Sequence, residues 1–563
     1  MTSWVTAASG RGVLATRTLT RTGARHICTS WSAHNIITSK YPDLEVVPGN
    51  LVTHVFKNSS KWANRVATEC AVTGRQSTYS QLMDNIARMG GMLTKLGVKK
   101  GDVVAIVMLN RPEYPIVLLG AASIGAVANL LSTSSTPEEI CRHLNVSNPK
   151  LVVGDTGLEK NLDAALALHK KPVVLMMNGP SSISGSINLQ HVLENTAVSF
   201  ADPVETSRSD IAVMPYSSGT TGHPKGVTIS HGALTSNLDM YTSPYFLQIS
   251  ETTDSYQEAV FGYLPFFHVY GFFVKIMAAF HTGSKLVCVP KFNPDTFTRD
   301  INHYKVRYLH TVPTVLNFLA HSPTVTPEAL TSLEVTLCGA APVALSAAQA
   351  LMEKIGRPII FQEGYGMTEV LLTHLTPKTH QQIGNCGRLL PNVSAKVVDT
   401  VTGEELPPNH NGEICIKTPC MMSGYFQNTD ATSAIFDKEG WLYSGDIGRY
   451  DEEGFFTIVD RTKELIKVKA LQVAPSELED VILQHPKVVE VGVVGVPDER
   501  LGEAPRAYVV TSAPTTETDI KEFVKLKLAP HKHLAGGVVF INEIPKSATG
   551  KLLRKELKKT ALL

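Results

Sequence analysis

The sequence predicts an α/β protein. A large N-terminal domain of helix-covered parallel sheets carries an antiparallel β subdomain, and a small α+β domain follows it. Three observations carry this. Short β-rich runs alternate with helical stretches from about residue 100 to about residue 370. After Arg388 the strands shorten and are punctuated by turns, and from Arg461 a separate small unit begins.

Taken in order, Val103–Met108, Leu151–Val153, Val173–Met176, Ile211–Met214, Leu286–Val289, Val335–Leu337 and Ile359–Phe361 read as buried strands. Ala344–Ile355 repeats apolar residues at three- and four-residue spacing and reads as a covering helix. Ligands of such sheets sit at the carboxyl ends of the strands, so motifs are sought there. Ser394–Val398, Gly412–Lys417 and Gly454–Val459 form the antiparallel part. In the last unit, strands are expected at Val488–Val494 and Ala507–Val510. A helix opens at the capping pair Thr516 and Asp519, with Ile520, Phe523, Val524 and Leu528 on its apolar face. The expected boundaries are 1–42, 43–460 and 461–563.

Composition narrows the function. The 563 residues are 43% hydrophobic and 18% charged, and 52 Lys+Arg against 51 Asp+Glu leave a net charge of +1. Such a chain has ample core, is not disordered, and carries no overall basic field for nucleic acid. Its eight Cys form no C-x-x-C pair, which fits reduced thiols rather than a disulfide framework. The longest apolar run, Ile116–Leu131, is broken by Ser123 and Asn129 and falls short of the roughly 20 residues of a bilayer span. It reads as a buried helix leading into a strand. Arg11, Arg17, Arg21, Arg25 and Lys40, many Ser and Thr, and no acid before Asp43 give residues 1–42 the composition of a mitochondrial transit segment, so a matrix location is expected. The chain ends Thr560-Ala561-Leu562-Leu563, without the S-K-L peroxisomal address.

The chemistry-bearing segments follow strands. Tyr216-Ser217-Ser218-Gly219-Thr220-Thr221-Gly222-His223-Pro224-Lys225-Gly226 supplies hydroxyl donors, close backbone approach and one cation, as a polyphosphate requires. Pro224 stands where a P-loop has its second glycine, which disfavours ordinary P-loop chemistry. Gly339-Ala340-Ala341-Pro342 and Gln362-Glu363-Gly364-Tyr365-Gly366-Met367-Thr368-Glu369 end neighbouring strands. Their small residues let a flat base approach, Tyr365 offers a ring to stack on it, and Glu369 is a hard oxygen donor for Mg²⁺. His268 lies among aromatics, where a core role is the plainer reading. Asp446 and Arg461 could pair with ribose hydroxyls, although singly each reads more plainly as a surface turn. Lys551, in Ser547-Ala548-Thr549-Gly550-Lys551, precedes a short basic helix.

In this order these segments resemble the adenylate-forming (AMP-binding) superfamily, in its acyl-CoA synthetase, 4-coumarate–CoA ligase and firefly luciferase branch. The likeness spans roughly residues 50–560 and includes Gly412-Glu413-Ile414-Cys415-Ile416. The resemblance implies a mobile C-terminal domain and an ATP-dependent acid–thiol ligase that makes an acyl-AMP and then a thioester with coenzyme A. Because a carboxylate must approach an anionic triphosphate, fixed positive charge and Mg²⁺ are needed at the phosphorus.

By resemblance, Lys551 meets the carboxylate and α-phosphate, Thr368 the α-phosphate and Glu369 the magnesium. Ser217, Ser218, Gly219, Thr220, Thr221, Gly222 and Lys225 carry the outer phosphates. Tyr365, Gly366 and Gly339, Ala340 and Ala341 hold adenine, while Asp446 and Arg461 hold ribose. His268 lies near the acyl carboxylate, and Lys463 is the hinge. Lys467, Lys469 and Gln472 lie on the face used for thioester formation. There Ala470 replaces the family's usual Gly, at a cost of about 1 kcal/mol if that position needs a positive φ.

The acyl pocket is expected among Tyr263, Phe266, Phe267, Tyr270, Phe272 and Phe273, with no buried charge to capture a second polar group. That lining fits a fatty chain or an aryl-propenoate equally, and the mitochondrial composition tilts the expectation to a medium- or long-chain fatty acid, with a 4-coumarate-like aromatic acid as the alternative. A luciferase-like oxygenase is a further alternative on the same scaffold, although nothing marks an O₂ site. A non-catalytic binder would have lost Lys551, Glu369 or Thr368.

Overall fold

A computed structural model describes residues 35–45, 49–217, 224–469, 471–547 and 550–560. The large domain contains three sheets with parallel cores. The widest has eight strands in the order Gly424–Tyr425, Lys225–Ser230, Ile211–Ser217, Val127–Leu130, Val103–Val107, Leu151–Asp155, Val174–Asn178, Ile187–Asn188. A second runs Tyr308–Thr311, Val335–Cys338, Ile360–Met367, Leu371–Leu375, Arg388–Leu389. A third joins Ala259–Gly262, Lys285–Cys288, Val66–Cys70 and Gln76–Thr78. Helix Glu113–Ser123, buried at every position, packs against the amphipathic helix Tyr79–Lys95 and leads into strand Val127–Leu130, as the apolar run predicts. Among the described residues no helix is long and apolar enough to cross a membrane, and all seven described cysteines are free and buried.

The sheets are less uniformly parallel than the strand–helix alternation suggests. Strands Ile211–Ser217 and Lys225–Ser230 pair antiparallel, with Lys225 opposite Ser217. The segment between them is too short for the crossover a parallel pair needs. Strand Ile360–Met367 continues well past Phe361 because it pairs antiparallel with Leu371–Leu375, with a bulge between Tyr365 and Gly366. A side chain at Gly366 would collide with the Leu371 carbonyl at 2.0 Å, so only glycine fits there.

The antiparallel subdomain orders Ile37–Thr38, Ser394–Val398, Gly412–Lys417, Leu442–Tyr450 and Phe456–Arg461. Its first strand corrects the expected boundary at residue 42. Ile37 pairs with Ala395, Lys40 Nζ donates to the Glu453 carbonyl at 2.6 Å, and the Tyr41 ring packs on Phe246, so residues 37–41 belong to the large domain. Residues 1–34, which carry the transit composition, lie outside the described residues.

The small domain builds a sheet from Leu471–Val473, Ile466–Val468, Gly502–Thr511, Val488–Asp498 and Val538–Phe540. Helices Pro475–Leu483 and Glu517–Lys525 cover it, burying Leu478, Ile482, Ile520 and Val524 against Val493, Ala507 and Val509. The Thr516/Asp519 capping box forms as the sequence indicates.

Candidate active site

Strands Val335–Cys338 and Ile360–Met367 are parallel neighbours, so Gly339–Ala341 and Tyr365–Glu369 come to one edge of their sheet. Ala340 adopts φ +72° in the turn after the first strand. On the second, the Tyr365 hydroxyl donates to Asp446 Oδ2 at 2.7 Å. Asp446 and Arg461 are cross-strand partners in the antiparallel subdomain, with Arg461 Nε 3.4 Å from Asp446 Oδ1. Two residues that singly read as surface turns are thus one buried carboxylate and its cation, tied to the base-side tyrosine.

Thr368 and Glu369 are buried in the turn that reverses the chain toward Leu371. The Met422 amide donates to the Glu369 carbonyl at 2.7 Å, and the Tyr425 hydroxyl donates to Glu369 Oε1 at 2.8 Å. Tyr425 has no signal in the sequence. Its position comes from pairing with Val227 on strand Lys225–Ser230, which sets its ring 4.7 Å from Lys225 Nζ. The strand after the phosphate loop, its lysine and the carboxylate are thereby joined through one tyrosine. A buried, oriented carboxylate beside a lysine-bearing loop fits Mg²⁺ carried with a polyphosphate. Ser218, Gly219, Thr220, Thr221 and Gly222 lie outside the described residues.

His268 caps the turn into a helix whose first part, Tyr270–Met277, has π-helical pairing, a feature often found at functional sites. Its Nδ1 accepts from the Tyr270 amide at 3.3 Å. Burial, with the nearby Lys551 ammonium, pushes its pKa down to about 4, so the imidazole is neutral at pH 7. A narrow cavity lies between Leu264, Pro265, His268, Tyr270 and Gly271 on one side and Val312 and Ala340 on the other. Among the aromatics expected to line an acyl pocket, Tyr270 does so. Phe266, Phe272 and Phe273 instead fill the hydrophobic core, and Tyr263 packs on Phe261 and Phe297. A titratable side chain that the sequence reading did not single out is nearby: Lys275 is fully buried on the same helix, which holds its pKa well below the ordinary value.

The small domain brings Lys551 to this place. Ser547 and Lys551 close a compact loop, the Ser547 amide donating to the Lys551 carbonyl at 2.8 Å. Gly550, at φ +77°, lies so close to helix Pro313–His321 that a Cβ would stand 2.4 Å from Thr314 Oγ1. Asn317 Nδ2 donates to the Val489 carbonyl at 3.1 Å and Ser346 Oγ to Asp480 Oδ1 at 3.4 Å, fixing the domains together. Burial, then Arg461, lowers the Lys551 pKa to about 8, against the opposite pull of Asp446. His268, Asp446, Arg461 and Lys551 therefore share one site, built from both domains.

Lys467, Lys469 and Gln472 are exposed on the hairpin of strands Ile466–Val468 and Leu471–Val473, and the hydrogen bonds found for them stay within the small domain. Lys469 itself carries a positive φ, +55°, next to Ala470, which lies outside the described residues. Lys463 lies in the turn after strand Phe456–Arg461, where the Glu464 amide donates to the Arg461 carbonyl at 2.9 Å.

Residues 55–426 match the model of the AMP-binding enzyme family, and residues 477–551 match that of the AMP-binding enzyme C-terminal domain. The chain belongs to the AMP-binding enzyme family. This adenylate-forming enzyme is 36% identical to a probable 4-coumarate–CoA ligase of Dictyostelium discoideum, over 92% of this chain and 97% of that one. It is 34% identical to a 4-coumarate–CoA ligase of Vanilla planifolia, over 93% and 96%. Among solved structures, ATP-bound MatB from Rhodopseudomonas palustris superposes with a TM-score of 0.81 at 28% identity, over 91% of this chain and 98% of that one. A benzoate CoA ligase from Burkholderia xenovorans gives 0.81 at 25%, over 90% and 99%. The AMP-binding enzyme described here is an acid–CoA ligase of the AMP-forming class that uses ATP and coenzyme A.

Proposed function

We propose that the enzyme activates a short aromatic acid, an aryl-propenoate or aryl-carboxylate, as its adenylate and then transfers the acyl group to coenzyme A. The observation that carries the chemistry is the convergence of Lys551 with His268, Asp446 and Arg461 across the two domains. In the first step a carboxylate oxygen bonds to the α-phosphorus of ATP and the bond to pyrophosphate breaks. In the second, the sulfur of coenzyme A bonds to the acyl carbon, AMP leaves with the electron pair, and the thiol proton passes to solvent.

In the first step Lys551 lowers the repulsion between the carboxylate and the triphosphate, acting where charge builds up. Thr368 holds the α-phosphate, and the loop of Ser217 to Lys225 holds the outer phosphates. Tyr365, Gly366 and Gly339–Ala341 seat adenine, while Asp446, oriented by Tyr365 and Arg461, takes the ribose hydroxyls. Glu369, oriented by Tyr425, would hold Mg²⁺, which supplies charge neutralisation at the phosphates when bound. Neutral His268 presents its ring beside the carboxylate without adding charge. Lys551 occupies the side from which the thiol must approach, so the small domain turns about Lys463 and presents Lys467, Lys469 and Gln472 for the second step.

An aromatic acid is favoured by the relatives named 4-coumarate–CoA ligase and by the structurally similar benzoate CoA ligase. A medium- or long-chain fatty acid shares only the apolar lining and the transit composition. A panel of aryl and fatty acids of increasing length, assayed by CoA-dependent AMP release, tests this. Aryl acids are expected to have the higher kcat/KM, and a steady rise with chain length through long fatty acids overturns the aromatic reading.

A further inference from the structure

Lys275 lies four residues after Gly271, which lines the acyl cavity, on the same π-helical segment. Residues at that spacing share a helix face. The lysine is fully buried, and its Nζ has no hydrogen-bond partner among the described residues. Its one described contact is the Tyr263 ring, 5.8 Å from Nζ to the ring centroid, at the outer reach of a cation–π interaction. Close enough to feel its charge lies His310, also fully buried. His310 Nε2 is 2.9 Å from the Tyr241 hydroxyl, and whichever of the two donates, Nδ1 is left without a partner. Tyr270, a wall of the cavity, meets the His310 ring edge-on at 6.4 Å. Two orphaned polar atoms thus lie behind the cavity wall, where an amine without a partner costs folding free energy.

We propose that Lys275 Nζ, together with His310 Nδ1, is the specificity-determining receptor for an oxygen at the far end of the acid substrate, either a ring hydroxyl or a second carboxylate. This rests on the reading of the enzyme as a ligase for short aromatic acids, and a preference for the second carboxylate would overturn that reading while leaving the receptor in place. An acid with that oxygen completes both unpaired groups, and an acid ending in hydrogen or methyl leaves them buried and unsatisfied. Sites of this kind discriminate by orders of magnitude, because the penalty falls on the wrong substrate. Burial holds both groups well below their ordinary pKa values, the lysine by desolvation alone and the histidine by desolvation and then by the lysine. In either protonation state the amine offers an N–H, so the same group serves a hydroxyl or a carboxylate oxygen.

The test uses two matched pairs with the full-length enzyme, 4-hydroxycinnamate against cinnamate and octanedioate against octanoate. The wild type is expected to favour the oxygen-bearing member of one pair at least tenfold in kcat/KM, mainly through KM, and the favoured pair names the oxygen. In Lys275→Met that ratio is expected to fall to about one, because the oxygen-bearing acid loses at least tenfold more than its partner. If both members of the favoured pair change in parallel, or the ratio persists, the lysine is merely structural and the proposal is overturned. Should Lys275→Met fail to fold, the wild-type ratios decide, and values near one or below in both pairs overturn it. If the wild type activates none of the four acids, the reading of the enzyme as a ligase for short acids falls, and this inference with it.

Discussion

Replacing Lys551 with alanine removes the small-domain lysine that the structure delivers to the adenylation site. With a pKa of about 8, the group is protonated roughly nine times in ten at pH 7. A unit charge about 4 Å from another, at an effective dielectric of about 20, contributes about 4 kcal/mol. Lost from a transition state, that is about a thousandfold in rate. Acid-dependent pyrophosphate release in Lys551→Ala should therefore fall by about a thousandfold. CoA attack on chemically supplied acyl-AMP, which uses another face of the small domain, should stay within about threefold. Each half-reaction is measured separately, by pyrophosphate release and by thioester formation from the adenylate. Equal losses in both, or none in the first, would refute the assignment of Lys551 to adenylation.

Because the Lys551 pKa is lowered to about 8, the ammonium is present below that pH and lost above it. The adenylation kcat/KM should be flat from about pH 6 to 8 and then fall tenfold per pH unit, and the kcat limb should lie higher because bound triphosphate raises the lysine pKa. His268, at about 4, should add no limb above pH 5. Tyr425→Phe frees the Glu369 carboxylate and should raise the Mg²⁺ concentration for half-maximal adenylation by about tenfold, read from magnesium titrations. Residues 1–42 fused to a fluorescent protein should direct it to mitochondria, as microscopy reads directly. A chain starting at residue 43 should melt below one starting at residue 35, since it loses the Ile37–Ala395 pairing and the Lys40–Glu453 bond.

Much of the frame is legible in the sequence where local pattern and tertiary role agree. Ser394–Val398 and Gly412–Lys417 form as read because turn residues bound them and their buried positions pair across the ladder. The strand through Tyr365 is hidden by its glycines, since only pairing with Leu371–Leu375 extends it. The phosphate loop is visible by composition, but the antiparallel pairing of its flanking strands is not, because that is decided by the return strand. Asp446 and Arg461 gain meaning only as cross-strand partners, and Tyr425 only through its register with Val227. Lys275 is the hardest case. Within a long apolar stretch, one lysine reads as the polar edge of a helix, whereas packing on every side buries it.

The central claim is that this domain arrangement serves adenylation and a different one serves thioester formation. Ser346 and Asp480 meet across the domain boundary at 3.4 Å, so the double variant Ser346→Cys/Asp480→Cys, bridged by a short bis-methanethiosulfonate that forms a disulfide with each thiol, holds the present arrangement. Cross-linked, this variant should still release pyrophosphate in an acid-dependent burst and accumulate acyl-AMP. It should form thioester at least a hundredfold more slowly, with the rate restored by reductant. If the fully cross-linked enzyme completes both half-reactions at the reduced enzyme's rates, domain rotation is not part of this catalysis and the account is wrong.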